Sequence, residues 1–416
     1  MAEVERHSGG GNLSRRDLLR AGGHSLWVGA AAAGAFERTL LAANEEPRAA
    51  GAPGDRRRHD AHPERILVVV ELSGGNDGLD TFVPYRDDAY HRARPSLRRR
   101  RHDIALLDEN LAIHGSLAGL LRLWHDGRVA LVEGCGYPGS SRSHFAAAAA
   151  WHTAAPGVTE ERGWIGRLAD ALWPEAPAPV LVNIAKRPSL ALRSSAHTAF
   201  VFSGPDRPAH PSEPRANALE ASDRRAQERP ASDAGAAALR VRDAVRDYRT
   251  PVDYGASCLG RDLRSVAALV GSGFPARVYY ASAGGFDTHA SQANGRDRLL
   301  AAVGDALYAL EQDLRRLGRD REVATLVFSE FGRRLEENAS QGTDHGTAGP
   351  VLVAGGAVVP GLHGAPAILT EPDADGDLVP TTDFRRVYAS VIEEWFGCRD
   401  GATILHGQPA PLGLFV

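Results

Sequence analysis

A chain of 416 residues, 43% hydrophobic and 24% charged, is long enough to bury a sizeable core, as one large α/β domain or two smaller ones. Its formal net charge of −4 excludes a general nucleic-acid binder. Its three cysteines, Cys135, Cys258 and Cys398, are widely spaced, make no metal-ligand pattern and allow at most a single disulfide.

Near the start, Ser14-Arg15-Arg16-Asp17-Leu18-Leu19-Arg20 is a twin-arginine pattern. Leu26-Trp27-Val28 and an alanine/glycine run to Ala35 follow. That apolar stretch is too short and too weakly hydrophobic for a good membrane span, and it fits the h-region of an export signal. Leu41-Ala42-Ala43 reads as the cleavage site, which gives a signal over residues 1–43. The expectation is export of the folded protein by the twin-arginine route to the periplasm or beyond, with only transient membrane contact. Residues 44–64, rich in Pro, Gly, Arg and His, read as a linker, and residues 65–416 as the α/β domain.

The domain opens on Ile66-Leu-Val-Val-Val70, an unbroken apolar and mostly β-branched run, as in a strand buried on both faces. It breaks into Ser73-Gly74-Gly75-Asn76-Asp77-Gly78. Ligands of open parallel sheets bind beyond the carboxyl ends of the strands. Asp77, with Glu71 and Asp80 nearby, is therefore a candidate metal ligand, or else an Asx turn. The basic run Leu97-Arg98-Arg99-Arg100-Arg101 reads as a solvated loop. Leu117, Leu120, Leu121 and Trp124 predict a helix to Asp126, and Val129-Ala-Leu-Val132 the next strand. Beyond Glu133, Arg142-Ser143-His144 stand at the start of an alanine helix that reaches Trp151. Ser143 is there either a helix cap or a group that attacks or holds an oxyanion.

Pro179–Ile184 reads as a strand, and residues from about 203 to 235 as a flexible insertion. Helices follow over about Ala236–Tyr248 and Leu259–Val270. Strand Arg277–Ala281 runs into Phe286-Asp287-Thr288-His289, where extended spacing lets Asp287 and His289 reach one ion. An amphipathic helix carries Leu299, Val303, Leu307, Leu310, Leu314 and Leu317 inward and stops at Gly318. Strand Val323–Phe328 ends in Ser329-Glu330-Phe331-Gly332-Arg333, and Gly342-Thr343-Asp344-His345-Gly346 leads into strand Pro350–Ala354. A last helix spans Asp383–Phe396. The pattern predicts a mostly parallel central sheet flanked by helices, with the metal-competent residues Asp77, Ser143 with His144, Asp287, His289, Glu330, Asp344 and His345 converging on one edge. Mixed carboxylate and imidazole ligands suit a divalent metal such as zinc, manganese or iron, or, with more oxygen, magnesium or calcium.

Glu71–Asp80, Arg142-Ser-His-Phe145, Phe286-Asp-Thr-His289, Ser329-Glu-Phe-Gly-Arg333 and Thr343-Asp-His-Gly346 resemble, in order, the motifs of domain-of-unknown-function family 1501. That family typically carries twin-arginine signals. It is similar in turn to the alkaline phosphatase and sulfatase superfamily, whose α/β core holds one or two metals and hydrolyses phosphate or sulfate esters. The resemblance implies Asp77, Asp287, His289 and His345 as metal ligands, and Ser143 as nucleophile. It puts Glu330 in the place of an aspartate, with Asp344 beside the last histidine. Arg142 or Arg333 would steady the charge of a small anionic ester. Phe331 stands where many relatives of that superfamily have histidine, so a single ion is expected. The alternative is a non-catalytic exported binding protein with a remnant metal site. It would act beside a partner of the exported family 1800, which often accompanies this one.

Overall fold

A computed structural model describes residues 62, 64–176, 179–185, 187–203 and 224–416. The twin-arginine segment, nearly all of the linker and most of the expected insertion lie outside the described residues. Among the described residues no helix is long and apolar enough to cross a membrane.

The strands are β1 (Ile66–Leu72), β2 (Phe82–Val83), β3 (Ile104–Leu106), β4 (Ala112–His114), β5 (Val129–Gly136), β6 (Leu181–Ile184), β7 (Phe200–Phe202), β8 (Val278–Ala283), β9 (Val323–Phe328), β10 (Gly349–Gly355), β11 (Gly361–Gly364) and β12 (Thr382–Asp383). Nine of them form one sheet in the order β11-β5-β10-β9-β1-β8-β6-β7, with β12 pairing β5. β2, β4 and β3 form a small antiparallel sheet beside it. In the large sheet β1 runs parallel to β8 and β9, and β6 to β7 and β8. β10 alone runs against its neighbours β9 and β5. The protein is thus α/β, with a mostly parallel central sheet flanked by helices.

β1 is central and wholly buried, as its apolar run requires. Ile66, Val68, Val70 and Leu72 face one apolar cluster, and Leu67 and Val69 the other. The first cluster includes the inner faces of helices Cys258–Gly271 and Ala293–Arg316. The second includes Trp151, Trp164, Tyr388 and Trp395. Each fully buried Val or Leu contributes roughly 1.5–3 kcal/mol, so this two-sided strand anchors the fold. The inner face of helix Ala293–Arg316 buries Leu300, Val303, Leu307, Leu310 and Leu314, while Leu299 is only partly covered. Gly318, at φ 68°, ends that run as expected.

Some boundaries differ from the sequence pattern. The helix expected from Ala236 begins at Arg224. The last helix runs Arg385–Ala389 and continues as a π-helical turn, Ser390–Trp395. Arg99, in the basic run read as solvated, turns inward to pair with Asp80.

Because β10 is antiparallel, its start lies at the edge where β1, β5, β8 and β9 end. That direction is what brings residues 342–347, which precede it, to the same edge as the other loops.

Candidate metal centre

Four loops meet at this edge. After β1 the chain turns through Gly74 (φ 120°) and Gly75 (φ 79°). A Cβ on Gly74 would strike the Asp287 amide, and one on Gly75 the Phe331 ring. Only glycine allows this close approach. The freed amides turn to Glu330, Gly74 N–H donating to Oε1 at 2.8 Å and Gly75 N–H to Oε2 at 3.2 Å. Asn76 N–H donates to Ser329 Oγ at 2.8 Å.

Glu330 is buried and also accepts from His144 Nδ1 at 2.8 Å. His144 opens the helix His144–Thr153, immediately after β5 and its following turn. Its Nε2 lies 3.4 Å from Asp287 Oδ2. Asp287 Oδ1 is 3.1 Å from His345 Nε2 and 3.0 Å from His289 Nε2. The two Nε2 atoms of His289 and His345 stand 2.8 Å apart. Candidate ligand atoms of His144, Asp287 and His345 all lie within 4.8 Å of one another.

The far nitrogen of each imidazole is committed. His144 Nδ1 faces Glu330, His289 Nδ1 faces Asp344 Oδ1 at 3.0 Å, and His345 Nδ1 faces the Arg142 carbonyl at 2.7 Å. A carbonyl can only accept, so His345 Nδ1 carries the proton and, in the neutral ring, Nε2 carries the lone pair. The same holds for rings backed by a carboxylate. With the rings neutral, His144, Asp287 and His345 therefore turn lone pairs toward one another, and His289 Nε2 stands beside Asp287 and His345, at hydrogen-bond distance from the His345 Nε2 with no proton between the two nitrogens. A cation between them removes the conflict. Imidazoles whose second N–H is held by a carboxylate or carbonyl are the usual surroundings of a bound metal. The donor set of three nitrogens and one carboxylate fits zinc, manganese or iron.

Asp287 is held below the ordinary carboxylate range, at about 2. Burial opposes this, but the hydrogen bond and charge of Arg333 outweigh it, joined by His345 and His289 when those rings carry a proton on Nε2. The group thus stays ionised at neutral pH. Phe331 packs beneath the rings, 4.6 Å from His345 and 5.0 Å from His144 between centroids.

The structure brings Asp287, His289 and His345 together as expected, and gives other positions different work. Asp77 is no ligand in this arrangement. It turns into the interior as the short helix Gly78–Thr81 begins, pairing with Arg94 and accepting from Gln292 Nε2, each at 2.6 Å. Glu330 and Asp344 brace histidines instead of meeting the centre themselves. Ser143 is the exposed cap of its helix and makes no hydrogen bond to the cluster; its neighbour His144 takes the place in the site. The Arg142 guanidinium is spent on Asp377 and Asp375, and only its carbonyl serves the site. Arg333 is buried and donates to Gly75, Thr343, Gly74 and Phe286 carbonyls as well as to Asp287. It clamps loops, and its side chain is wholly buried. His144, metal-competent by sequence but outside the expected ligand set, is the candidate ligand that the structure adds. The signal was its place at the first position of a helix, just past a strand.

The cluster opens into a cavity of about 680 Å³. His144, Asp287 and Glu330 line it at the cluster, with Glu71, His152 and Tyr280 among its other walls.

Residues 129–406 match the family model described as "Protein of unknown function (DUF1501)". The chain belongs to this family. Every residue of the centre lies within the matched stretch. No curated protein matches the chain. Among solved structures, this member of DUF1501 is similar to Ps i-CgsB in complex with k-i-k-neocarrahexaose. The two share 11% identity, over 71% of this chain and 67% of that one, with a TM-score of 0.34. It is also similar to Ps i-CgsB alone, at 10% identity over 82% and 72% of the chains, with a TM-score of 0.33.

Proposed function

We propose that the protein is an exported, metal-dependent hydrolase of phosphate or sulfate esters, related to the alkaline phosphatase and sulfatase superfamily. The observation that carries this reading is the convergence of three braced imidazoles and the ionised Asp287 at the mouth of a cavity. His144, Asp287, His289 and His345 would hold one divalent ion. When bound, such an ion polarises an ester oxygen and acidifies water. The chain's own part is positioning. Glu330, Asp344 and the Arg142 carbonyl fix the imidazoles, Arg333 fixes Asp287, and Phe331 restricts the site to a single ion. With Ser143 outside the cluster, the attacking oxygen in this reading comes from water.

The test is elemental analysis of the folded protein with a panel of aryl and alkyl phosphate and sulfate esters. About one ion per chain is expected, and His289→Ala and His345→Ala should each lose it while keeping the fold, since the core does not depend on metal. Wild-type protein that binds no divalent ion, or site variants that keep full stoichiometry, would overturn the reading. One feature favours the alternative, an exported binding protein acting with a partner of family 1800. Both arginines expected to cradle the transition state are committed to Asp377 or to backbone carbonyls. Stoichiometric metal with no turnover across the panel would select it.

Export is proposed on Arg15-Arg16 and the weakly apolar stretch behind them. Replacing both arginines with lysine should keep the protein in the cytoplasm. A double variant that still reaches the periplasm by the twin-arginine route would refute this.

A further inference from the structure

The cavity that starts at the metal centre has a second polar end. Glu71, the last charged residue of β1, is only 8% exposed. Its Oε2 accepts from Tyr280 Oη at 2.6 Å and lies 3.2 Å from His152 Nε2. Tyr280 Oη and His152 Nε2 are themselves 3.1 Å apart. One Nε2–H shared between the carboxylate and the phenol oxygen satisfies this triangle. It leaves Glu71 Oε1 and His152 Nδ1 without a hydrogen-bond partner among the described residues, and both residues line the cavity. Burial pushes the Glu71 carboxyl up, but the hydrogen bond and charge of His152 and the Tyr280 hydroxyl outweigh it and hold it low. A buried, ionised carboxylate with an oxygen turned to a cavity is costly unless something donates to it.

His144 and His152 lie on one helix, eight residues and therefore about 12 Å apart along its axis. Between them the helix side of the cavity is apolar, with Ala148, Ala149 and the 90% exposed Phe145, while Ser73, Asn183, Arg187, Ser189 and Ser282 line it elsewhere. Along this side of the cavity the order is thus an anion-attracting centre, an apolar stretch and a hydrogen-bond acceptor.

We propose that Glu71 and His152, braced by Tyr280, form a specificity subsite that takes a hydrogen-bond donor at the far end of the ester's alcohol. This rests on the ester-hydrolase reading of the metal centre and narrows its substrate class. The preferred esters carry a terminal hydroxyl or ammonium group on the alcohol, set off from the phosphate or sulfate by an apolar spacer. Simple alkyl and aryl esters lack that second handle.

Three probes of equal length separate the terms: hexyl phosphate, 6-hydroxyhexyl phosphate and 6-aminohexyl phosphate. Calorimetric binding to the metal-loaded full chain should favour at least one donor-ended probe over hexyl phosphate by about tenfold, the size of one charge-assisted hydrogen bond. The hydroxyl and amino arms then tell a neutral donor from a cation. Glu71→Leu should erase the preference without changing metal content or hexyl phosphate binding. If that variant fails to fold, Glu71→Gln should still weaken the amino probe several-fold, and Tyr280→Phe should retain part of the preference. Equal binding of all three probes by the wild type overturns the subsite, as does a preference that survives loss of Glu71. Hydrolysis of hexyl phosphate as fast as the others would leave the hydrolase reading standing and the subsite refuted. Tight donor-dependent binding with no hydrolysis would do the reverse.

Discussion

Glu330 ties together loops around the centre while meeting the centre only through His144. One carboxylate accepts from Gly74, Gly75, Ser329 and His144. Replacing it with glutamine leaves a single acceptor oxygen and turns an N–H₂ toward groups that themselves donate. We expect Glu330→Gln to lower metal affinity roughly 10–100-fold, as loss of a histidine's orienting partner does. We also expect a lower melting temperature, because buried donors left unpaired cost roughly 1–3 kcal/mol each. Asp344→Asn should cost less on both counts. Asp344 is about half exposed, and water can replace its contact to His289. Competitive metal titration of the two variants beside wild type checks the order. An Asp344 variant weaker than the Glu330 variant would contradict the ranking.

At the scale of elements, the turn after β1 couples stability to the site. Gly75 sits at φ 79°, and a Cβ there would enter the Phe331 ring, on which His144 and His345 rest. Gly75→Ala should therefore lower the melting temperature and loosen metal binding together. The left-handed backbone alone costs roughly 1–2 kcal/mol, and displacement of Phe331 adds to it. A variant that melts earlier but titrates metal like wild type would break this coupling. The same turn shows how far sequence carries. The apolar run of β1 and the glycines behind it were legible, because burial on both faces and positive φ each leave a residue-type signature. So were Asp287-Thr-His289 and Asp344-His345, because short spacing on an extended loop needs no tertiary knowledge. Which oxygen aims where was not legible. Asp77 and Glu330 follow strands just as a metal ligand would, yet Asp77 is claimed by Arg94, and Glu330 by two amides and an imidazole. The partners of Glu330 lie 186 to 256 residues away, and Arg94 lies 17 residues beyond Asp77 across a turn and a helix. The antiparallel direction of β10 was equally hidden, since a buried strand reads the same in either direction. Glu71, His152 and Tyr280 meet only because β1 and β8 are neighbours with helix His144–Thr153 beside them.

Across the whole molecule, a buried ionic network locks the loop side of the sheet. Asp77 pairs with Arg94, whose other nitrogens donate to the Leu335 and Arg334 carbonyls. Asp80 pairs with Arg99 and with Arg296, which is buried on helix Ala293–Arg316. The segments after β1 and β9 are thereby tied to that helix without any residue of the metal centre. Removing one partner leaves a charge stranded in the interior, so Arg94→Met should destabilise the fold by roughly 3–5 kcal/mol. The pair Asp77→Leu with Arg94→Met should recover much of that loss, since neither charge is then buried. The pH dependence has a definite sign. Burial pushes the Asp77 carboxyl up, but the charge and hydrogen bond of Arg94, helped by Arg296 and Gln292, bring it down to about 2. An ordinary aspartate titrates near 4, so this contribution is fully present above about pH 4 and is lost as the pH falls toward 2. Thermal melting of wild type between pH 6 and pH 2 should fall steeply below pH 4, and the double variant should show a shallower fall over the same window. Equal slopes would mean that other carboxylates govern acid unfolding and that the Asp77–Arg94 pair does not carry it.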